Sequence, residues 1–79
     1  MKPIHESKYL QLGLKIAYYR KLKGLTQEQL AEKIERSPAF IGHIEAPNIS
    51  KAISLDTLFD IASALDIQPH KFLVFEEDS

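Results

Sequence analysis

The chain has 79 residues and no cysteine, which limits it to one small hydrophobic core without disulfides or thiolate zinc sites. Its composition, 44% hydrophobic and 27% charged, is typical of a globular domain. A domain this small buries only about 60% of its unfolded surface, so association with a second copy is a common source of added stability. We therefore expect a single domain over residues 1–79 that forms a homodimer. Its core is predicted at about 9–75, between a short arm (1–8) and an acidic tail (76–79).

No segment has the apolar length of a signal peptide or of a membrane span, so the sequence predicts a cytoplasmic protein without a membrane partner. The net charge of −1 is unusual for a nucleic-acid-binding domain, but the charges are unevenly distributed. Residues 1–51 hold nine Lys/Arg and five Asp/Glu, a net charge of +4, whereas residues 52–79 hold one Lys and six Asp/Glu, a net charge of −5. The two halves are therefore expected to face different partners.

Apolar residues recur at steps of three and four throughout the chain, which predicts an all-α domain of five short helices. Helix-capping residues mark where the helices begin, because Ser and Thr accept hydrogen bonds from free backbone N–H groups. The predicted helices are a first from about Tyr9 to Gly24, a second capped by Thr26, a third from Pro38 to about Glu45 capped by Ser37, a fourth capped by Ser54, and a short fifth from Gln68-Pro69 to Phe72 or Leu73.

The second and third predicted helices are separated only by a tight connection at Glu35-Arg36. The third helix is expected to bury Ile41 and Ile44 and to turn its other face outward. Two short helices joined in this way form the geometry that places one helix in the major groove of DNA while the other crosses the backbone.

The run TQEQLAEKI at residues 26–34, followed by Ser37, Ile41, Ile44 and Glu45, resembles the phage repressor/Cro-like (XRE-type) helix-turn-helix family. The likeness extends over roughly Leu12 to Leu73 and implies a compact, five-helix lambda-repressor-like fold that binds double-stranded DNA. The turn differs from the family pattern of glycine followed by an aliphatic residue. Its Glu35-Arg36 sequence requires either a longer turn or a non-glycine residue in the left-handed conformation.

The resemblance also implies which positions of the third helix read bases. Few of their side chains form hydrogen bonds, so we expect modest sequence selectivity. Gly42 lets the helix backbone approach DNA closely, which favours readout of DNA shape. Phe40 has an alternative role in the core, and His43 has one as a solvated residue. The six positions are Ser37, Pro38, Ala39, Phe40, Gly42 and His43.

Two further groups of residues are expected to position the third helix on DNA. By resemblance, Arg20 and Glu45 form an ion pair that braces the helix, and Gln27 contacts a phosphate. A loop just after the reading helix passes the sugar–phosphate backbone, to which most protein–DNA hydrogen bonds are made. The phosphate-contact candidates are Thr26, Gln27, Asn48, Ser50 and Lys51.

The first functional hypothesis is a sequence-specific transcriptional regulator, acting as a dimeric repressor on a palindromic operator. The alternative is a protein-interaction or antitoxin-like module on the same scaffold, with weak or no base readout. An enzyme is not expected, and the sequence contains no pattern for a metal, a cofactor or a small-molecule ligand. Phe72 and Leu73 have an alternative role in completing the monomer core, which would leave Val74 and Phe75 for the partner. The apolar residues predicted to form the dimer interface are Leu65, Ile67, Phe72, Leu73, Val74 and Phe75.

Overall fold

The computed structural model describes residues 3–75, and every regular element in that range is helical. The elements are α1 (Glu6–Leu22), α2 (Gln27–Lys33), α3 (Pro38–Glu45) and α4 (Leu55–Leu65), with 3₁₀ turns at Pro3–His5 and Pro69–Leu73. This confirms the predicted all-α fold, with the fifth helix formed as a 3₁₀ turn. The predicted tail, 76–79, lies outside the described residues.

Helix α1 begins at Glu6, so it includes the last three residues of the predicted arm. Glu6, Ser7 and Lys8 are all exposed, and an exposed first turn carries no apolar periodicity from which its helical state could be predicted. The acidic side chain of Glu6 suits this position because the helix N-terminus carries a partial positive charge.

The other three helices begin at the predicted capping residues. Thr26 forms a capping box with Gln29, in which the Thr26 hydroxyl accepts from the backbone N–H of Gln29 at 3.0 Å and the Gln29 side chain accepts from that of Thr26 at 2.9 Å. Ser37 accepts from the N–H of Phe40 at 3.2 Å, and Ser54 from that of Thr57 at 3.1 Å. These caps fix the start, and hence the direction, of α2, α3 and α4.

The connection between α2 and α3 is tight because Glu35 adopts a left-handed conformation, with φ of 59°. The N–H of Arg36 donates to the carbonyl oxygen of Ala31 at 2.9 Å, the bond that closes a Schellman motif at the end of a helix. Of the two alternatives for this turn, the short one with a non-glycine left-handed residue is therefore correct. Its backbone cost is about 1–2 kcal/mol.

All four helices and the second 3₁₀ turn contribute to one core, in which Ile41 and Ile44 form the buried face of α3 as predicted. Phe72 is fully buried and packs edge-on against Tyr19, with ring centroids 5.2 Å apart. The buried apolar residues are Leu12, Ile16, Leu30, Ala31, Ile41, Ile44, Leu58, Ile61, Ala62, Leu65 and Phe72.

The core corrects part of the predicted dimer interface. Leu65 and Phe72 are buried inside the monomer and offer no surface to a partner, because the last 3₁₀ turn folds back onto α1 and α4. Leu73 and Val74 remain 46% and 60% exposed. Ile67 and Phe75 are partly buried. Among the helices described, none combines the length and apolarity needed to cross a membrane.

Candidate nucleic-acid interface

A buried ion pair connects the end of α3 to α1. Arg20 Nε lies 2.7 Å from Glu45 Oε2, and Arg20 Nη2 lies 2.8 Å from Glu45 Oε1, so the contact is bidentate. The side chains of Arg20 and Glu45 are only 8% and 4% exposed. The hydrogen bond to Glu45 raises the pKa of Arg20 above its usual value, against an opposing effect of burial. The pair thus holds α3 against the scaffold in a fixed position.

Gln27 joins this pair from the first position of α2. Its Nε2 donates to Glu45 Oε1 at 3.0 Å, which uses one of its two amide N–H donors. Its Oε1 faces Gly42, where an added Cβ would lie 3.6 Å away, at ordinary van der Waals distance. The Gln27 side chain therefore links α2 to α3, next to the α3 surface that the sequence predicts to read DNA.

The packing of α1 on α3 depends on Gly13, which sequence analysis did not single out. A Cβ at Gly13 would overlap with the backbone carbonyl oxygen of Ile44. Gly13 is buried in the middle of α1, so the absence of a side chain lets the two helix backbones touch. An isolated glycine inside a helical pattern is the sequence signal for such a close approach.

The outward face of α3 is formed by the predicted reading positions. Pro38, Ala39 and His43 are exposed, and Phe40 and Gly42 are partly exposed. Ser37 is also exposed, although its hydroxyl oxygen accepts the capping bond from Phe40. All six positions are thus at least partly exposed to solvent. Besides backbone groups, only Ser37 and His43 offer polar side-chain atoms there.

The predicted phosphate-contact residues lie on both sides of α3. Thr26 is exposed at the N-terminus of α2, and its hydroxyl hydrogen is not used by the capping bond. Asn48 is exposed in the loop after α3. Ser50 is partly buried, and its hydroxyl lies 3.5 Å from the carbonyl oxygen of Glu6 at the start of α1.

The Phe40 ring contacts Lys51 and also Arg36, a cation that was not among the predicted phosphate-contact residues. The guanidinium carbon of Arg36 lies 4.4 Å from the centroid of the Phe40 ring, and Lys51 Nζ lies 5.5 Å from the same centroid. Arg36 also donates to Thr57 Oγ1 at 3.4 Å. The sequence indicated Arg36 only as a turn residue, because Lys51 reaches Phe40 only through the path of the loop after α3.

Comparison with known proteins agrees with this geometry. A family model described as helix-turn-helix matches residues 16–72. The structure is similar to that of the restriction-modification controller protein C.AhdI from Aeromonas hydrophila, with a TM-score of 0.79 and 29% sequence identity over 86% of this chain and 96% of that chain. No curated protein matches the sequence. The family match and the structural similarity confirm the resemblance predicted from the sequence.

Proposed function

Because the chain belongs to the helix-turn-helix family, we propose that it is a transcriptional regulator that binds double-stranded DNA with α3 in the major groove. The observation that carries this proposal is the outward face of α3, which the buried ion pair of Arg20 with Glu45 and the partly buried hydrogen bond from Gln27 to Glu45 hold in a fixed position. The similarity to a restriction-modification controller supports a regulatory role. Thr26, Gln27, Asn48, Ser50 and Lys51 would contact phosphates around the helix.

We assign the regulator a dimeric form on a palindromic operator, where it acts as a repressor by occupying the site. Two-fold symmetric proteins of this kind bind half-sites about one helical turn apart. Leu73 and Val74, exposed beside the core, together with the partly buried Ile67 and Phe75, are the surface that we assign to the partner copy. Their apolar side chains gain from burial against a second copy.

DNA binding is tested first with random-sequence duplex DNA by fluorescence anisotropy at about 50 and 200 mM salt. The expected result is a steep fall in affinity with salt, because each neutralised phosphate contributes about −0.9 to the slope of log K against log salt concentration. A Gln27→Ala, Lys51→Ala variant should bind more weakly. Lys71→Ala is the matched control, since it removes an exposed cation from the second 3₁₀ turn.

One observation favours the alternative, a protein-interaction or antitoxin-like module. Pro38, Ala39 and Gly42 on the outward face of α3 have no side-chain donor for bases. If the native chain shows no binding to duplex DNA even at about 50 mM salt, the regulator proposal is wrong. The acidic C-terminal half of the sequence, residues 52–79, would then become the place to look for a protein partner.

The Gly42→Ala substitution is expected to change the stability of α3 and the affinity for DNA in opposite directions. Since the Cβ fits beside Gln27, the substitution should stabilise the isolated protein by about 1 kcal/mol through better helix propensity. If the α3 backbone approaches DNA closely at this point, the same methyl group should weaken DNA binding by about 1–3 kcal/mol, as for a disturbed base-pair contact. Thermal unfolding and anisotropy measure the two effects. Unchanged affinity would show that Gly42 does not face the DNA.

A further inference from the structure

The Phe40 ring contacts two cations, one from the segment before α3 and one from the segment after it. Phe40 lies in the first turn of the helix, Arg36 in the turn before it, and Lys51 in the loop after it. The distances of 4.4 Å and 5.5 Å to the ring centroid are within the range of about 6 Å in which a cation is attracted to an aromatic face. Arg and Lys side chains on a protein surface ordinarily rotate freely. Contact with the Phe40 ring therefore restricts both of them here.

Neither cation is neutralised by the protein over residues 3–75. The ion pair formed there joins Arg20 and Glu45, and neither Arg36 nor Lys51 lies within ion-pair distance of a carboxylate. Besides its contact with the Phe40 ring, the Arg36 side chain donates a hydrogen bond to the neutral hydroxyl of Thr57 at 3.4 Å. Glu28 and Glu32 line the same surface groove as Arg36 but do not form an ion pair with it. Within residues 3–75, two positive charges next to α3 thus remain without a carboxylate partner.

We propose that Phe40 is a positioning residue that holds Arg36 and Lys51 for contact with phosphates of the DNA backbone. The inference rests on the proposed DNA-binding function and adds Arg36 to the interface. It also gives Phe40 a role distinct from base readout and from core packing alone. Holding a long side chain in its binding conformation before DNA arrives lowers the entropy lost on binding.

Phosphates are the targets that suit the position of the two cations. Arg36 and Lys51 lie outside α3, in the segments that flank it, whereas base edges are reached from the helix inside the groove. Arg and Lys are both good phosphate ligands, and Lys binds as a point charge that needs no planar partner. This arrangement supplies affinity to a helix whose own outward face carries no Arg or Lys.

The test measures affinity for one duplex across a salt series. Arg36→Gln and Lys51→Gln should each reduce the magnitude of the slope of log K against log salt concentration by about 0.9 for each protomer bound, because each removes one phosphate contact per protomer, which amounts to about 1.8 for the proposed dimer. Lys71→Gln, which makes the same change in net charge, should leave the slope unchanged.

The role of Phe40 is tested by Phe40→Leu, which keeps an apolar side chain but removes the aromatic face. Affinity should fall about 2- to 5-fold in the native background, the effect expected for exposed cation–π contacts. It should be unchanged in an Arg36→Gln, Lys51→Gln background, because Phe40 then has no cation to hold. Phe40→Tyr should retain native affinity, and thermal unfolding of each variant checks that it remains folded.

The outcomes distinguish this inference from the function on which it rests. If the native protein shows no salt-dependent binding to DNA, the proposed function and the inference both fail. If it binds but Arg36→Gln leaves the salt slope at the native value, the function stands and the inference is wrong. An equal loss for Phe40→Leu with and without the two cations would also overturn it, since Phe40 would then act by direct contact or by packing.

Discussion

Replacing Glu45 with alanine is expected to lower the free energy of unfolding by about 3–5 kcal/mol. The substitution leaves the guanidinium of Arg20 buried with no carboxylate and also removes the acceptor of the Gln27 side chain. Arg20 keeps its bond to the carbonyl oxygen of Leu25, which does not compensate its charge. Since domains are typically stable by only about 5–15 kcal/mol, this is a large fraction of the total. Urea unfolding followed by circular dichroism measures the loss.

A double variant shows how much of this loss comes from the unpaired charge. Replacing a buried ion pair by apolar residues of similar volume is often neutral or stabilising, so Arg20→Met with Glu45→Leu should recover most of the loss. Glu32→Ala is the matched control, because Glu32 is an exposed carboxylate on α2 and should change stability by less than about 0.5 kcal/mol. A loss below about 1 kcal/mol for Glu45→Ala would mean that the pair does not brace α3.

Local sequence signals were sufficient to predict the order of the helices and the starting points of α2, α3 and α4, but not the start of α1 at Glu6. Ser37 and Ser54 cap helices for a reason that acts within three residues, so their role is visible without the fold. Ile41 and Ile44 follow the helical period, which fixes the buried face of α3. The outward face then follows by geometry, whereas its assignment to base reading came from the family resemblance. The resemblance supplied the partnership between Arg20 and Glu45, which are 25 residues apart.

The remaining features depend on how the chain folds and not on residue preferences alone. Glu35 adopts a left-handed conformation because backbone hydrogen bonds at the end of α2 and the start of α3 hold the turn in place. The conformational preference of glutamate alone does not predict this. The meeting of Arg36, Phe40 and Lys51 requires the loop after α3 to return beside the helix. Apolar character alone likewise left open whether Phe72 completes the monomer core, where the structure buries it, or lies at the dimer interface.

Gly13→Ala is expected to destabilise the protein by about 3 kcal/mol or more, although alanine is the better helix former. The added Cβ would occupy the position of the Ile44 carbonyl oxygen, and backbone atoms of a packed helix cannot move aside as a flexible side chain can. Helix α3 must therefore shift away from α1 at its C-terminal end, where Glu45 pairs with Arg20. Chemical unfolding measures the loss, and weaker DNA binding should accompany it because the shift displaces the proposed reading helix.

Gly42→Ala is the matched control for this prediction, since it makes the same change in another helix of the same protein. Helix propensity favours alanine by about 1 kcal/mol at both positions, so a difference between them measures the space available to the Cβ. We expect opposite signs, with loss of stability at Gly13 and gain at Gly42. Gly13→Ala should also be non-additive with Glu45→Ala, because each disturbs the contact between α1 and α3. Equal stabilisation at both glycines would contradict the close approach of the two helix backbones on which the position of α3 depends.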